Sequence, residues 1–347
     1  MRQFLVPMAI GAFALIAMIA VADIEGLPIR DPDARYVGSP LALISLIVAV
    51  MVVLDVIPRG FRMARTMSVS PGDAIRSVFT ERWWGRRGLI VISSILGFYA
   101  TYLAYRNLKS FLPFVTDGVL HDSAMLSLDK TMSFGTHPST LLHDVLGTAV
   151  AAPVLSSVYL AFLTFVPLSL GVALVWSSRV AAGVWYVTAL TIDWVLGIIS
   201  YYLLPTLGPV YARPELFSGL PHTGVTQLQA SLFNQRDAVM AHPLAVDAVQ
   251  SIAGFASLHA AVVFTAALVA QFVGVHKLIR TAMWVYFGLT LLATIYFGWH
   301  YLLDDVAGIA IGAIAVYGGG MLTGFRLPPF GKGDQVRRRG APATTNS

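Results

Sequence analysis

The chain has 347 residues, 56% of them hydrophobic and 12% charged, with a net charge of +5 and a mean hydropathy of +0.72. A soluble domain carries about twice that share of charged residues, so composition excludes one and implies a polytopic membrane protein. The lack of cysteine excludes disulfides, thiolate metal sites and a cysteine nucleophile.

Apolar runs long enough to cross a bilayer fall near 4–22, 41–57, 88–105, 151–176, 180–204, 252–273, 282–299 and 304–325. They predict an all-α membrane bundle of about eight transmembrane helices, since these runs are far too long for barrel strands. The first run is long for a signal peptide, although Ala20-Val21-Ala22 would permit cleavage, and it reads as a retained helix. After the second run come Arg59, Arg62, Arg65, Arg76, Arg82, Arg86 and Arg87 against only Asp73 and Glu81, which marks the cytoplasmic side. Alternation from there also places Arg179, the group His276, Lys277 and Arg280, and the tail with Arg326, Lys332 and Arg337-Arg338-Arg339 inside. Both termini are thus predicted to be cytoplasmic. Clustered in these connections, the basic residues speak of membrane orientation; nothing points to nucleic acid.

Three regions follow: an accessory two-helix region with its basic connection over 1–87, a six-helix core over 88–325, and a disordered basic tail over 326–347. Two long outer segments, about 106–150 and 205–251, remain. Pro113, Gly118, Gly135 and Pro138 interrupt the first, which reads as interfacial helices or a cap, with Phe111, Leu112, Phe114 and Val115 over the path of a lipid. The second opens with Pro205-Thr206-Leu207-Gly208-Pro209, an ordered turn, followed by Arg213-Pro214. His137 and His143 read as ordinary loop histidines. Asp193 lies about 18 Å below the Pro205 turn by helix rise and reads as a buried structural group.

The chemistry-bearing stretch is Trp299-His300-Tyr301-Leu302-Leu303-Asp304-Asp305. On a helix His300 and Asp304 lie about 40° apart around the axis, whereas Asp305 is rotated about 140° away. Taken alone, this pair fits a structural hydrogen bond between helix ends as well as a site. A second polar cluster, Ser257-Leu258-His259, falls on the same outer face, as do the proline-glycine turn and Arg213. Two histidines and a carboxylate near arginine, with no cysteine or serine elbow, suit phosphoryl transfer through a phosphohistidine. His300 would be the nucleophile, Asp304 the group that fixes its tautomer, and His259 the proton donor to the leaving alkoxide. Arg213 is the leading cation for the phosphate oxygens, with Arg106 and Lys109 behind it and Ser257 as a further donor. A zinc site built from His259, His300 and Asp304 is the competing chemistry. A lipid carrier or flippase with histidine proton relays is the competing class, opposed by the scarcity of charge through the core.

These residues resemble the type 2 phosphatidic acid phosphatase superfamily, in particular its branch related to inositol phosphorylceramide synthase and sphingomyelin synthase. Ser257-Leu258-His259 matches the end of the second motif, His300 to Asp304 the third, and Arg213-Pro214 the end of the first. His300-Tyr301 and the Pro205–Pro209 turn are similar to the synthase branch. The resemblance spans roughly residues 88 to 325. It departs at two phosphate-binding cations: Thr206 stands where the phosphatases carry lysine, and Thr294 where they carry arginine, with Ala293 before it. The resemblance implies an integral enzyme of a bacterial plasma membrane, without cofactor or metal, acting on a lipid phosphoester at the extracytoplasmic face. The phosphoryl-containing group would pass to a polyol or sugar hydroxyl; hydrolysis of phosphatidic acid or a polyprenyl phosphate is the alternative.

Overall fold

The computed structural model describes residues 2–31, 40–177 and 180–326. Among these residues the chain is all-helical, with no strand. In chain order the helices are α1 (Val6–Glu25), α2 (Pro40–Met67), α3 (Pro71–Arg82), α4 (Arg86–Val115), α5 (Asp122–Met132), α6 (Pro138–Leu146) and α7 (Ala151–Gly171), which continues as a π turn (Val172–Trp176). Then follow α8 (Val180–Leu203), α9 (Pro209–Ala212), α10 (Gly224–Ala241), α11 (Leu258–Val273), α12 (Lys277–Tyr296) and α13 (Leu302–Thr323). Seven helices are long and apolar enough to cross a membrane: α1, α2, α4, α7 with its π turn, α8, α12 and α13. The chain is an integral membrane helical bundle. Arg179 and the tail from 327 onward, expected to be disordered, lie outside the described residues.

The eighth predicted span, 252–273, is only partly helical. Helix α11 starts at Leu258 and has 16 residues, while 252–257 run without helix. The backbone of this stretch bonds to its neighbours instead: Gly254 N–H donates to Thr206 O at 2.8 Å, Phe255 N–H to Thr206 Oγ1 at 2.9 Å and Ala256 N–H to Ser200 Oγ at 2.9 Å. Partners on another element offer these groups an alternative to the helix ladder.

Helix α4 departs from expectation in the other direction. Predicted to end at 105, it continues through Pro113 to Val115. Its polar residues are buried against protein: Asn107 holds the backbone of Arg30, and Ser110 Oγ accepts from Gln250 N–H at 3.1 Å. Arg106 and Lys109 therefore belong to a spanning helix, not a loop, and Phe111 and Leu112 are packed into its core side rather than forming a cap. Between the spans, α5 packs against α13, α6 against α12 and α10 against α7. The basic connection is itself helical: α2 runs to Met67, and its Asp55, paired within the helix with Arg59 at 3.0 Å, joins it to α3 by an ion pair with Arg82 at 2.6 Å. At the centre of the bundle α13 packs against α8 and α11; α1 lies along α4 and α8, and α2 against α3 and α7.

Candidate active site

His300 stands in the turn between α12 and α13. Trp299 N–H closes that turn on Thr294 O at 2.9 Å, and Tyr301 then adopts an extended conformation as the N-cap of α13. A helix start leaves its first N–H groups without partners. Here Asp304 Oδ2 accepts from Tyr301 N–H at 2.9 Å and Asp129 Oδ1 from Leu302 N–H at 3.0 Å. Thus His300 and Asp304 do not share a helical face, as their spacing predicts; the pair straddles the first turn, with the histidine outside the helix. They still meet, His300 Nδ1 lying 3.4 Å from Asp304 Oδ2.

A shorter contact decides the tautomer. His300 Nδ1 lies 2.9 Å from the carbonyl oxygen of Gly254. A carbonyl can only accept, so Nδ1 carries a proton, and in the neutral imidazole the lone pair is then on Nε2. His300 and Asp304 are both buried.

His259 sits in the first turn of α11, behind Ser257, whose hydroxyl caps the helix by accepting from Ala260 N–H at 3.3 Å. The imidazole packs on Tyr159 (ring centres 4.5 Å apart) and Phe162 (4.3 Å), and lies 5.8 Å from the ring of His300. Tyr159 also stacks on Trp299, with rings 2° from parallel. Two histidines from different helix starts therefore lie next to one another, with aromatic rings packed against His259.

The cations separate. Lys109 donates to Tyr105 Oη at 3.3 Å and lies 4.9 Å from the centre of the Tyr201 ring. Arg213, by contrast, is half exposed and paired with Glu215. Nearby, burial and then the charge of Arg213 hold the His137 imidazole below its usual range. Arg106 lies half-buried one turn deeper than Lys109 on α4. His143, expected on a loop, is on α6 and reaches Tyr296 O at 2.8 Å. Asp193 is wholly buried in α8, near Thr265 of α11.

The two threonines that stand in place of cations are fasteners. Thr294 Oγ1 donates to Asp305 Oδ2 at 2.9 Å, joining α12 to α13, and Thr206 holds the 254–255 backbone as described. Among the described residues no three His, Asp or Glu side chains are grouped so as to hold a metal ion.

Residues 123–318 match the family model described as PAP2 superfamily. The chain belongs to the PAP2 superfamily. Comparison with curated proteins and with solved structures gives no match. PAP2 proteins are phosphatases and phosphotransferases, so this one is an enzyme acting on phosphoesters. The matched PAP2 region contains both histidines and Asp304 but leaves α1 to α4, and with them Lys109, outside.

Sequence reasoning missed Asp122 and Asp129 as parts of this PAP2 site. Asp122 accepts from Leu207 N–H and Gly208 N–H at 2.9–3.0 Å and from Tyr301 Oη at 2.8 Å, tying the proline-glycine turn to the turn that carries His300. Burial, then the charges of Asp304 and Asp305, push the carboxyl of Asp129 up to about 7, against the pull of Leu302 N–H. The folded chain thus holds a proton that the unfolded chain has lost between about pH 4 and 7, and this contribution to stability falls as pH rises through that window. Thermal unfolding in detergent between pH 5 and 8 should give a midpoint that declines with pH, and Asp129→Asn should flatten the decline. An unchanged slope would remove Asp129 as its source.

Proposed function

We propose that this PAP2 enzyme cleaves a lipid phosphoester through a phosphohistidine on His300 and passes the phosphoryl-containing group to an alcohol. One observation carries the reading: the Gly254 carbonyl and Asp304 both face Nδ1 of the buried His300, so that the neutral ring would offer Nε2 as the nucleophile beside a second imidazole. Nε2 attacks phosphorus and the bond to the lipid alkoxide breaks; protonated His259 gives its proton to that alkoxide. Asp304 stabilises the imidazolium. The acceptor hydroxyl then attacks phosphorus, its proton goes to the now neutral His259, and the P–N bond breaks, restoring both groups. Lys109 supplies positive charge to the phosphate oxygens that Thr206 and Thr294 do not. Arg213, Arg106 and Ser257 have lesser claims to that role.

Transfer is preferred to hydrolysis because water, at about 55 M, needs no binding site, whereas an alcohol must be held and water kept scarce. The packed aromatic wall of Tyr159, Phe162 and Trp299 and helices α5, α6 and α10, packed against the spans, suit that requirement. The arginine asymmetry around α2 and α3 supports an extracytoplasmic position for this face. The test supplies a labelled phospholipid or polyprenyl-phosphate donor to purified protein with and without inositol and other polyols, and a membrane-impermeant labelled polyol to intact cells. Labelled polyol phosphoester should form in both. Release of phosphate or head group at a rate indifferent to every alcohol would establish a phosphatase instead, and no turnover at all would favour a carrier.

A further inference from the structure

Helices α1 and α4 cross in close contact at Gly11 and Gly97, where a Cβ on Gly11 would lie 2.6 Å from Gly97 O and one on Gly97 2.5 Å from the backbone of Pro7. Beyond the crossing, toward the site, α1 presents Ala14 and Ala17, too small to fill the space between α1, α4 and α8. What remains is a crevice of about 90 Å³, walled also by Tyr105, Leu108, Trp194 and Ile198. Its mouth is flanked by the exposed side chains of Phe13 and Ile199, so it opens sideways between spanning helices, where hydrocarbon and not water is the neighbour. At its other end stands Tyr105, whose hydroxyl receives the ammonium of Lys109. Along α4 the crevice is lined by Thr101, Tyr105 and Leu108, so the cation lies behind its Tyr105 wall. Trp194 adds a buried indole N–H that has no hydrogen-bond partner among the described residues, a donor that the carbonyl of an acyl ester or amide would satisfy.

We propose that this crevice holds an acyl chain of the lipid substrate, with the phosphate of the same molecule at Lys109. The proposal rests on the lipid phosphoester reading above. An anionic head and an apolar tail joined through a carbonyl match, in order, the ammonium, the indole N–H and the apolar walls. Helix α1 gains a role in this way. It lies outside the matched region and closes one side of the crevice, so chain recognition belongs to this protein's own N-terminal helix.

Ala17→Phe fills the crevice from α1, and Ile198→Trp fills it from α8. Each should raise KM for a long-chain diacyl donor about tenfold and leave kinetics on a short-chain, water-soluble donor unchanged. Unchanged KM for the long-chain donor in both variants would overturn the proposal, as would an equal loss on both donors with the melting temperature preserved. If one variant unfolds, the other decides. A second measurement needs no turnover: a phosphatidic acid carrying a diazirine midway along one chain should label residues 13–17 and 194–199 in wild type, and Ala17→Phe should abolish the labelling. Labelling elsewhere only would reject the chain site even if the enzyme is active. Labelling at these residues with no cleavage of any donor would keep the chain site and reject the phosphoester reading.

Discussion

Replacing His300 with alanine should abolish turnover on every phosphoester, by at least about 10³-fold, because no other group holds a free imidazole nitrogen in that place. Its effect must differ in kind from that of His259→Ala. Without His259 the nucleophile still attacks, but the leaving alkoxide departs without a proton, a loss of about 10²–10⁴-fold for a natural lipid. A donor with a good leaving group, such as a nitrophenyl phosphoester, needs no such proton and should recover most of the rate. Quenched reactions with labelled donor give a second readout. A phosphorylated enzyme should be trapped in His259→Ala and be absent from His300→Ala. Equal residual activity of both variants on both donors would reject the division of labour between the two rings.

Gly208→Ala should be nearly as damaging although residue 208 touches no reacting atom. Gly208 has φ +106°, a conformation that L side chains rarely adopt, and a Cβ there would lie 2.5 Å from the carbonyl oxygen of Trp299. The neighbouring carbonyl, that of Gly298, receives Val210 N–H at 2.9 Å, while Gly208 N–H is held by Asp122. The added methyl cannot turn aside, so the 297–301 turn must move and carry His300 with it. Backbone strain of this kind costs about 1–3 kcal/mol, and misplacing a nucleophile by about 1 Å can cost 10²-fold in rate. Turnover should therefore drop about 10²-fold or more while the protein still inserts and melts cooperatively. Gly219→Ala, where an added Cβ meets nothing within 4 Å, is the matched control. Activity of Gly208→Ala within twofold of wild type would show that the two turns do not position the histidine together.

Much of this arrangement is legible in the sequence because bilayers impose long apolar runs and because each motif is local. Seven spans follow from hydropathy, and Ser257-Leu258-His259 and His300 to Asp304 each sit at a helix start. The errors also have physical sources. Residues 252–257 are apolar enough to pass for helix, yet Thr206 and Ser200 offer their backbone better partners. The last turns of α4 are polar enough to pass for loop, yet their polar groups bond to Arg30 and Gln250. Asp122 and Asp129 leave no local signal at all. Their partners lie between 85 and 179 positions away, and only the folded chain brings them to the start of α13. Arg213 shows the reverse: its motif is visible, but the nearby Glu215 claims its guanidinium.

The brevity of α11 bears on where the bilayer surface lies. Sixteen residues rise about 24 Å, some 6 Å less than the hydrocarbon thickness of an average membrane. The remaining depth is taken up by the 252–257 backbone, which lipid could not solvate and which Thr206, Ser200 and Asp304 satisfy instead. Lipids beside a short span thin locally to match it. On the proposed reading, a lipid phosphoester would meet the histidines at the end of this short helix while its tails stay in oil. Extraction of that lipid from the leaflet would then not be required.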